Sequence, residues 1–386
     1  MMQHITDQVK SHIALWYVVQ HSISSYHKLI QHFGDAVSAL YPSALPIWQQ
    51  LKLHQNHLSR FEQFHSAAGQ TAFKQLLDQI LQCCDHVILQ QDNHYPQQLK
   101  PYSDRPPILF IQGNIECLST SQIAMVGSRQ PSPHGTQVAY DFAYYLAEQK
   151  FVVTSGLALG IDAAAHHGAI QSGRSIAVIG TGLDQCYPKV HQPLWQNIIA
   201  TGGCIVTEFL PITPPSKRNF PRRNRLISAL SLGTLVVEAG LNSGSLITAQ
   251  FAADQGKQVF AIPGHIYSQY HQGCHQLIRE GATLVDHPSQ VIEDLSMFRS
   301  PVSNNSSNSN NITVQASFAD TNTTHQLPDI PDHLHPVWQH LDWIGRSIDE
   351  LALNLNYDIS TLSVALIELE LLGLCTQHAG RYLRTA

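Results

Sequence analysis

LVVEAGLNSGSLITAQFAADQGKQVFAIPG, residues 235–264, decides the fold. A continuous apolar run ends in Glu238-Ala239-Gly240, a helix-compatible stretch follows, and a second apolar run closes on Pro263-Gly264. Runs without polar alternation belong to strands buried on both faces, and a helical connection between two of them is the crossover of a parallel pair. The same unit repeats upstream as IAMVG (123–127), FVVTSG (151–156), SIAVIG (175–180) and CIVTEF (204–209), and a short run TLVD (283–286) follows. Strands alternating with helices predict an α/β domain, a doubly wound, mostly parallel Rossmann-like sheet, over residues 86–298.

Outward from that sheet, residues 1–85 carry helical periodicity (IALWYVVQH, YHKLIQHFG, FKQLLDQILQ) and predict a small helical domain. Residues 299–332 include SNNSSNSNN and hold little that forms a core, which predicts a flexible linker. The last block, 333–386, has helical segments near 335–344, 347–354 and 360–372 and a short hairpin pattern around Ala379-Gly380, which predicts a winged-helix domain. Its basic residues are Arg346, Arg381 and Arg384, against Asp342, Asp349, Glu350, Asp358, Glu368 and Glu370. That acidic balance argues for protein contacts or regulation rather than a DNA-reading wing.

Composition excludes several classes. Charged residues make up only 13% of the chain and the net charge is −6, so no overall basic coat is present. The seven cysteines are scattered, without C-x-x-C or zinc-finger spacing, and predict neither a disulfide framework nor a metal site. Neither a signal peptide nor an apolar run of membrane-spanning length is visible, so no membrane association and a cytoplasmic location are expected.

In an open parallel sheet ligands gather at the carboxyl ends of the strands. Three turns there are distinctive. Val126-Gly127-Ser128-Arg129 leaves a strand with a Gly and a Ser that can cradle an anion on backbone N–H groups, beside Arg129. Asn242-Ser243-Gly244-Ser245 offers hydroxyls and amides at a helix start, where plain N-capping is the simpler reading of the motif alone. Ser216 to Arg225 (SKRNFPRRNR) concentrates Lys217, Arg218, Arg222, Arg223 and Arg225, with no acid between Pro211 and Val237. Pro221 suits a first helical turn, and i,i+3 spacing sets Arg222 and Arg225 on one face. A polyanion site is the reading, with Phe220 as a platform for a base. Asp162 and His166 read as a capping Asp with a structural His. Glu208 and Glu238, at strand ends, read either as catalytic or as positioning the arginines.

Taken in order, IAMVGSRQPSPHG, VTSGLALGIDAAAH, SIAVIGTGLDQCYP, FPRRNRLISALS, the 235–264 stretch and GCHQLIREGATLV resemble the DNA-processing protein A (DprA, also called Smf) family across roughly 105–290. The resemblance implies a non-enzymatic protein that binds single-stranded DNA during natural transformation, protects it and helps load the RecA recombinase. It implies self-association through the α/β domain, here expected as a homodimer, and no cofactor. It also implies that the N-terminal block is the family's SAM-like or helix-hairpin-helix-type domain. Carried residue by residue, the implied DNA contacts are Ser128, Arg129, Phe220, Arg222, Asn224, Arg225, Ser243, Gly244 and Ser245; the basic cluster adds Lys217 and Arg223. Two departures stand out: Leu159 where the family often has Arg, and His275 where it often has Asn, neither expected to touch the two cradles. The alternative is a nucleotide-cleaving hydrolase of the lysine-decarboxylase-like group, but Thr248 stands where that group's catalytic Glu falls.

Overall fold

The structure, a computed structural model, describes residues 5–297, 330–331, 333–341, 345–355, 357–378 and 380–384. It divides into two compact units, 1–302 and 303–386.

Six helices come first: α1 (Asp7–Val18), α2 (Ile23–Phe33), α3 (Ala36–Ala39), α4 (Leu45–Gln50), α5 (Gln55–Phe64) and α6 (Ala67–Cys83). Their starts follow local capping chemistry: Thr6, Ser22, Asp35 and Ser66 each accept a backbone N–H of the first turn. Residue 85 marks where helices give way to strands, but packing does not stop there. The buried Trp16, Tyr26, Trp48 and Phe61 belong to one core with Leu157, Ala177, Trp195 and Ile205 of the sheet region.

The sheet has nine strands, β1 (His86–Leu89), β2 (Ile108–Gly113), β3 (Gln122–Val126), β4 (Val152–Ser155), β5 (Ser175–Val178), β6 (Cys204–Thr207), β7 (Gly233–Val236), β8 (Gln258–Ala261) and β9 (Thr283–Leu284). Their order is β1-β2-β6-β5-β4-β3-β7-β8-β9. All seven runs of the sequence are strands, and every pairing from β6 to β9 is parallel. The pair β1–β2 was not among those runs; it adds antiparallel to the β6 edge. The crossover helices are α7 (Pro133–Glu148), α8 (Ile161–Ser172), α9 (Gln192–Ala200), α10 (Asn219–Leu230), α11 (Gly244–Asp254) and α12 (Gln272–Arg279), and α13 (Pro288–Met297) follows β9. The chain winds outward from β3 to β6 and then returns to place β7 beside β3. That reversal makes the β3/β7 boundary a topological switch point, where the following loops diverge and leave a crevice.

The second unit contains α14 (His335–His340), β10 (Arg346–Ser347), α15 (Ile348–Leu355), α16 (Ile359–Leu371), β11 (Cys375–His378) and β12 (Arg381–Arg384), with strand order β10-β12-β11. Three helices and a hairpin close on their own core of Leu334, Val337, Leu351, Leu362, Leu366 and Leu369. This is a winged helix, as the sequence predicts. The linker expected over 299–332 lies outside the described residues except for 330–331. Among the described residues no helix is long and apolar enough to cross a membrane.

Candidate nucleic-acid interface

The switch-point crevice is a cavity of about 930 Å³, walled by the turn after β3, the loop before α8, α10 and the start of α11. Ser128, Arg129, Arg223, Asn224, Ser243, Gly244 and Ser245 all line it; Lys217, Phe220, Arg222 and Arg225 do not.

The turn after β3 is built differently from a simple anion cradle. The Ser128 N–H donates to the Glu238 carbonyl at 2.7 Å, and the Ser128 carbonyl accepts from Ile161 N at 3.1 Å. The Ser128 hydroxyl accepts from Gln130 N at 3.1 Å. Ser128 therefore ties β3, β7 and α8 together, and its amide is not available to a ligand. The close approach requires Gly160, at φ +79°, since a Cβ there would stand 2.3 Å from the Ser128 oxygen. What this turn offers to solvent is Arg129, which is exposed. Its guanidinium lies 5.6 Å from the Phe220 ring centroid. One face of the expected stacking platform is thus covered by an arginine, a cation–π contact that braces both groups. Tyr187, tilted against Phe220 at 5.7 Å and 49% exposed, extends the aromatic surface. Sequence reasoning passed over Tyr187 because it stands alone in an irregular loop.

Helix α10 carries the basic cluster, and its arginines part ways. Arg222 donates through Nε and Nη2 to Glu208 at 2.9 and 2.7 Å, and Arg225 Nη2 reaches the same carboxylate at 2.8 and 2.7 Å. The i,i+3 face exists as expected, but it points at a carboxylate that is 1% exposed rather than outward. Between them, the buried Arg223 donates through Nη1 to the Gly156 and Val178 carbonyls and through Nε to Asn224 Oδ1 at 3.0 Å. Burial pulls Arg223 down to about 10, with Asp162 opposing the shift. A Cβ on Gly156 would sit 2.6 Å from that guanidinium, so the strand must end in glycine for the arginine to reach the cavity wall. Lys217 and Arg218 precede the regular helix and are exposed. Pro221 is the third residue of α10 and so falls in its first turn, as the sequence predicts.

At the start of α11 the Ser243 hydroxyl caps Ser245 N at 3.3 Å and meets the Ser245 hydroxyl at 2.6 Å. Gly244 is exposed, with nothing near a notional Cβ, and Asn224 Nδ2 donates to its carbonyl at 3.4 Å. The N-terminus of this eleven-residue helix faces the cavity and presents its partial positive charge there.

The remaining acids are committed to structure. Glu238 accepts from Ser132 N at 2.9 Å and the Ser132 hydroxyl at 2.5 Å, so it seats the start of α7 and does not position the arginines. Asp162 accepts from the Gly156 and Ala158 amides at 3.1 and 3.4 Å. Burial raises its carboxyl above the usual range, with Arg223 and these amides opposing. His166 bonds Ser175 and the Leu157 amide deep inside, as a structural histidine. Leu159 corrects an expectation: it lines the cavity, so the departure from the family's frequent Arg lies in the site itself. His275 sits in α12 with Nε2 against the Gly264 carbonyl at 3.0 Å. Among the described residues no cluster of three or more His, Cys, Asp or Glu side chains is arranged to hold a metal.

The family model for DNA recombination-mediator protein A matches residues 86–296, which hold the whole nine-stranded sheet. The chain belongs to the DNA-processing protein A family. A second model, the DprA winged helix domain, matches residues 322–381. The Escherichia coli protein Smf is 39% identical over 314 residues, covering 78% of this chain and 77% of that one. The Streptococcus pneumoniae DNA processing protein DprA is 44% identical over 204 residues, covering 53% of this chain and 72% of its own. Among solved structures, DprA from Streptococcus pneumoniae superposes with a TM-score of 0.64 at 33% identity, over 76% of this chain and 99% of that one. DNA processing protein A from Helicobacter pylori, studied for its single-stranded DNA binding mode, gives 0.50 at 28% identity, over 55% and 97%. The family's matched region thus contains both turns and the whole of α10.

Proposed function

We propose that the chain binds single-stranded DNA along the carboxyl edge of its sheet and, in natural transformation, protects incoming DNA and helps load the RecA recombinase. The observation that carries this reading is the convergence of Arg129, Arg223 and the α11 N-terminus on one cavity at the switch point. Three positive groups around an open crevice suit phosphates, and the Phe220–Tyr187 surface beside them suits bases. The single-stranded DNA binding mode studied in the Helicobacter pylori relative supports the same ligand class. Binding of this kind reads backbone and π-faces, so duplex binds less well and sequence matters little. The protein works as a homodimer in the cytoplasm, without cofactor.

The chain is a binding protein rather than a nucleotide-cleaving hydrolase. Thr248 lines the cavity where the hydrolase group would carry its glutamate, and both strand-end glutamates are engaged elsewhere. The test is a salt-titrated comparison of single-stranded and duplex oligonucleotides. Preference for the single strand, with log affinity falling by about 0.7 per log unit of salt for each phosphate neutralised, supports the reading. Equal affinity for duplex overturns it, and release of free base from nucleoside monophosphates overturns the non-enzymatic assignment.

A further inference from the structure

Glu208 stands just past β6, in contact with two parts of the molecule at once. Its side chain holds Arg222 and Arg225 of α10. Its backbone carbonyl accepts the Trp16 indole N–H of α1 at 2.9 Å. Two residues on, the Leu210 amide donates to His21 Nε2 at 3.2 Å. The Arg222 guanidinium lies 5.7 Å from the Trp16 ring centroid and 5.3 Å from that of Phe209, while His21 meets both rings edge-on. His21 and Gln20 hold φ of 61° and 48°, a left-handed turn that non-glycine residues adopt only where the surroundings impose it. Burial, with Arg222 and Arg60, keeps the His21 imidazole neutral, as an acceptor for Leu210 must be.

These contacts fix a rotation. Residues 222 and 225 lie on one face of α10, so a carboxylate gripping both leaves the helix one orientation about its axis. The intervening Arg223 and Asn224 are then turned toward the cavity. We infer that Glu208 and Trp16 are positioning residues for the nucleic-acid site: the N-terminal helical block, docked on the β6 exit, sets α10 and thereby presents Arg223 and Asn224. This rests on the reading that the cavity takes single-stranded DNA, and it gives the helical block a role without any DNA contact of its own.

The experiment uses the full chain with a poly-dT oligonucleotide, reading Kd over a salt series alongside Tm. Glu208→Gln, which keeps shape but loses charge, is expected to weaken binding about tenfold and to lower the salt slope by about 0.7, one phosphate contact. Trp16→Phe keeps an aromatic ring but removes the indole N–H together with part of the ring, carries the test if Glu208→Gln fails to fold, and is expected to weaken binding about threefold with the slope lowered in the same sense. Glu208→Asp, restoring the charge on a shorter arm, is expected to recover part of the slope. A lowered Tm with Kd and slope unchanged overturns the inference, because a merely structural contact would do no more. Tighter binding with a steeper slope also overturns it, since Glu208 would then be withholding arginines from the ligand. A wild-type chain without affinity for the oligonucleotide overturns the reading of the cavity, and the inference with it.

Discussion

Arg129 and Arg225 belong to the same motif set, yet face opposite situations. Arg129 is exposed, lies over the Phe220 ring, and stands at the cavity rim. Arg129→Ala is therefore expected to weaken single-stranded DNA binding and reduce the salt slope by about 0.7 while leaving the unfolding midpoint unchanged. Arg225 is 6% exposed and shares the Glu208 carboxylate with Arg222. Removing one partner of a buried charge network costs about 3–5 kcal/mol, and because Arg222 remains, Arg225→Ala falls at the lower end, about 3 kcal/mol. Urea unfolding measures it; an unchanged midpoint would mean that the network contributes nothing. The sequence told where positive charge gathers, but not which side chains an acid would claim. Glu208 is eight positions before the cluster begins at Ser216, and only the fold shows it beneath Arg222 and Arg225.

At the scale of elements, the seven parallel strands were legible because each is a short apolar run that needs no partner to identify it. β1 and β2 were not, since HVIL and ILFIQG sit between a helical block and an irregular stretch, without the strand–helix alternation that reveals a crossover. The connection from β4 to α8 was legible as SGLALGID but not as a device. Gly160 lets the loop pass against the β3 turn, and the Ser128 carbonyl then accepts the first amide of α8. Gly160→Ala meets both the positive φ and a contact of 2.3 Å with that backbone oxygen. Strain at such a φ alone costs about 1–3 kcal/mol. The substitution is expected to destabilise by more than that lower figure and to weaken DNA binding through a displaced Arg129. Calorimetry with an oligonucleotide titration checks both; a stable variant with normal affinity would show that the loop relaxes freely.

At the scale of the molecule, the half-buried His21 and the buried His166 tie stability to pH. His21 and His166 are each pulled down to about 3, chiefly by burial, from an ordinary value of 6.5. The unfolded chain binds their protons from about pH 6.5 downward and the folded chain does not, so stability is present above 6.5 and is lost as pH falls toward 3. Each contributes about 1.4 kcal/mol per pH unit in that window. Thermal scans from pH 7 to 4 are expected to show a falling Tm, and His21→Asn to flatten the slope; an equally steep His21→Asn profile would place the protons elsewhere.

The parts of the chain differ in whether they share a core. The helical block and the sheet share one core, with Trp16 and Trp48 buried in the same cluster as Ala177 and Ile205, whereas the winged helix closes on Leu351, Leu362 and Leu366 of its own. Residues 1–302 are accordingly expected to unfold in one transition, helices and sheet together. Removing 333–386 takes away three basic and six acidic side chains, and among its described residues none lines the cavity. Affinity for single-stranded DNA is expected to stay within about twofold, because an acidic module repels phosphate rather than gathering it. Oligonucleotide titration of the truncated chain decides the matter: a loss of tenfold or more would make the winged helix part of the DNA-binding surface in spite of its charge.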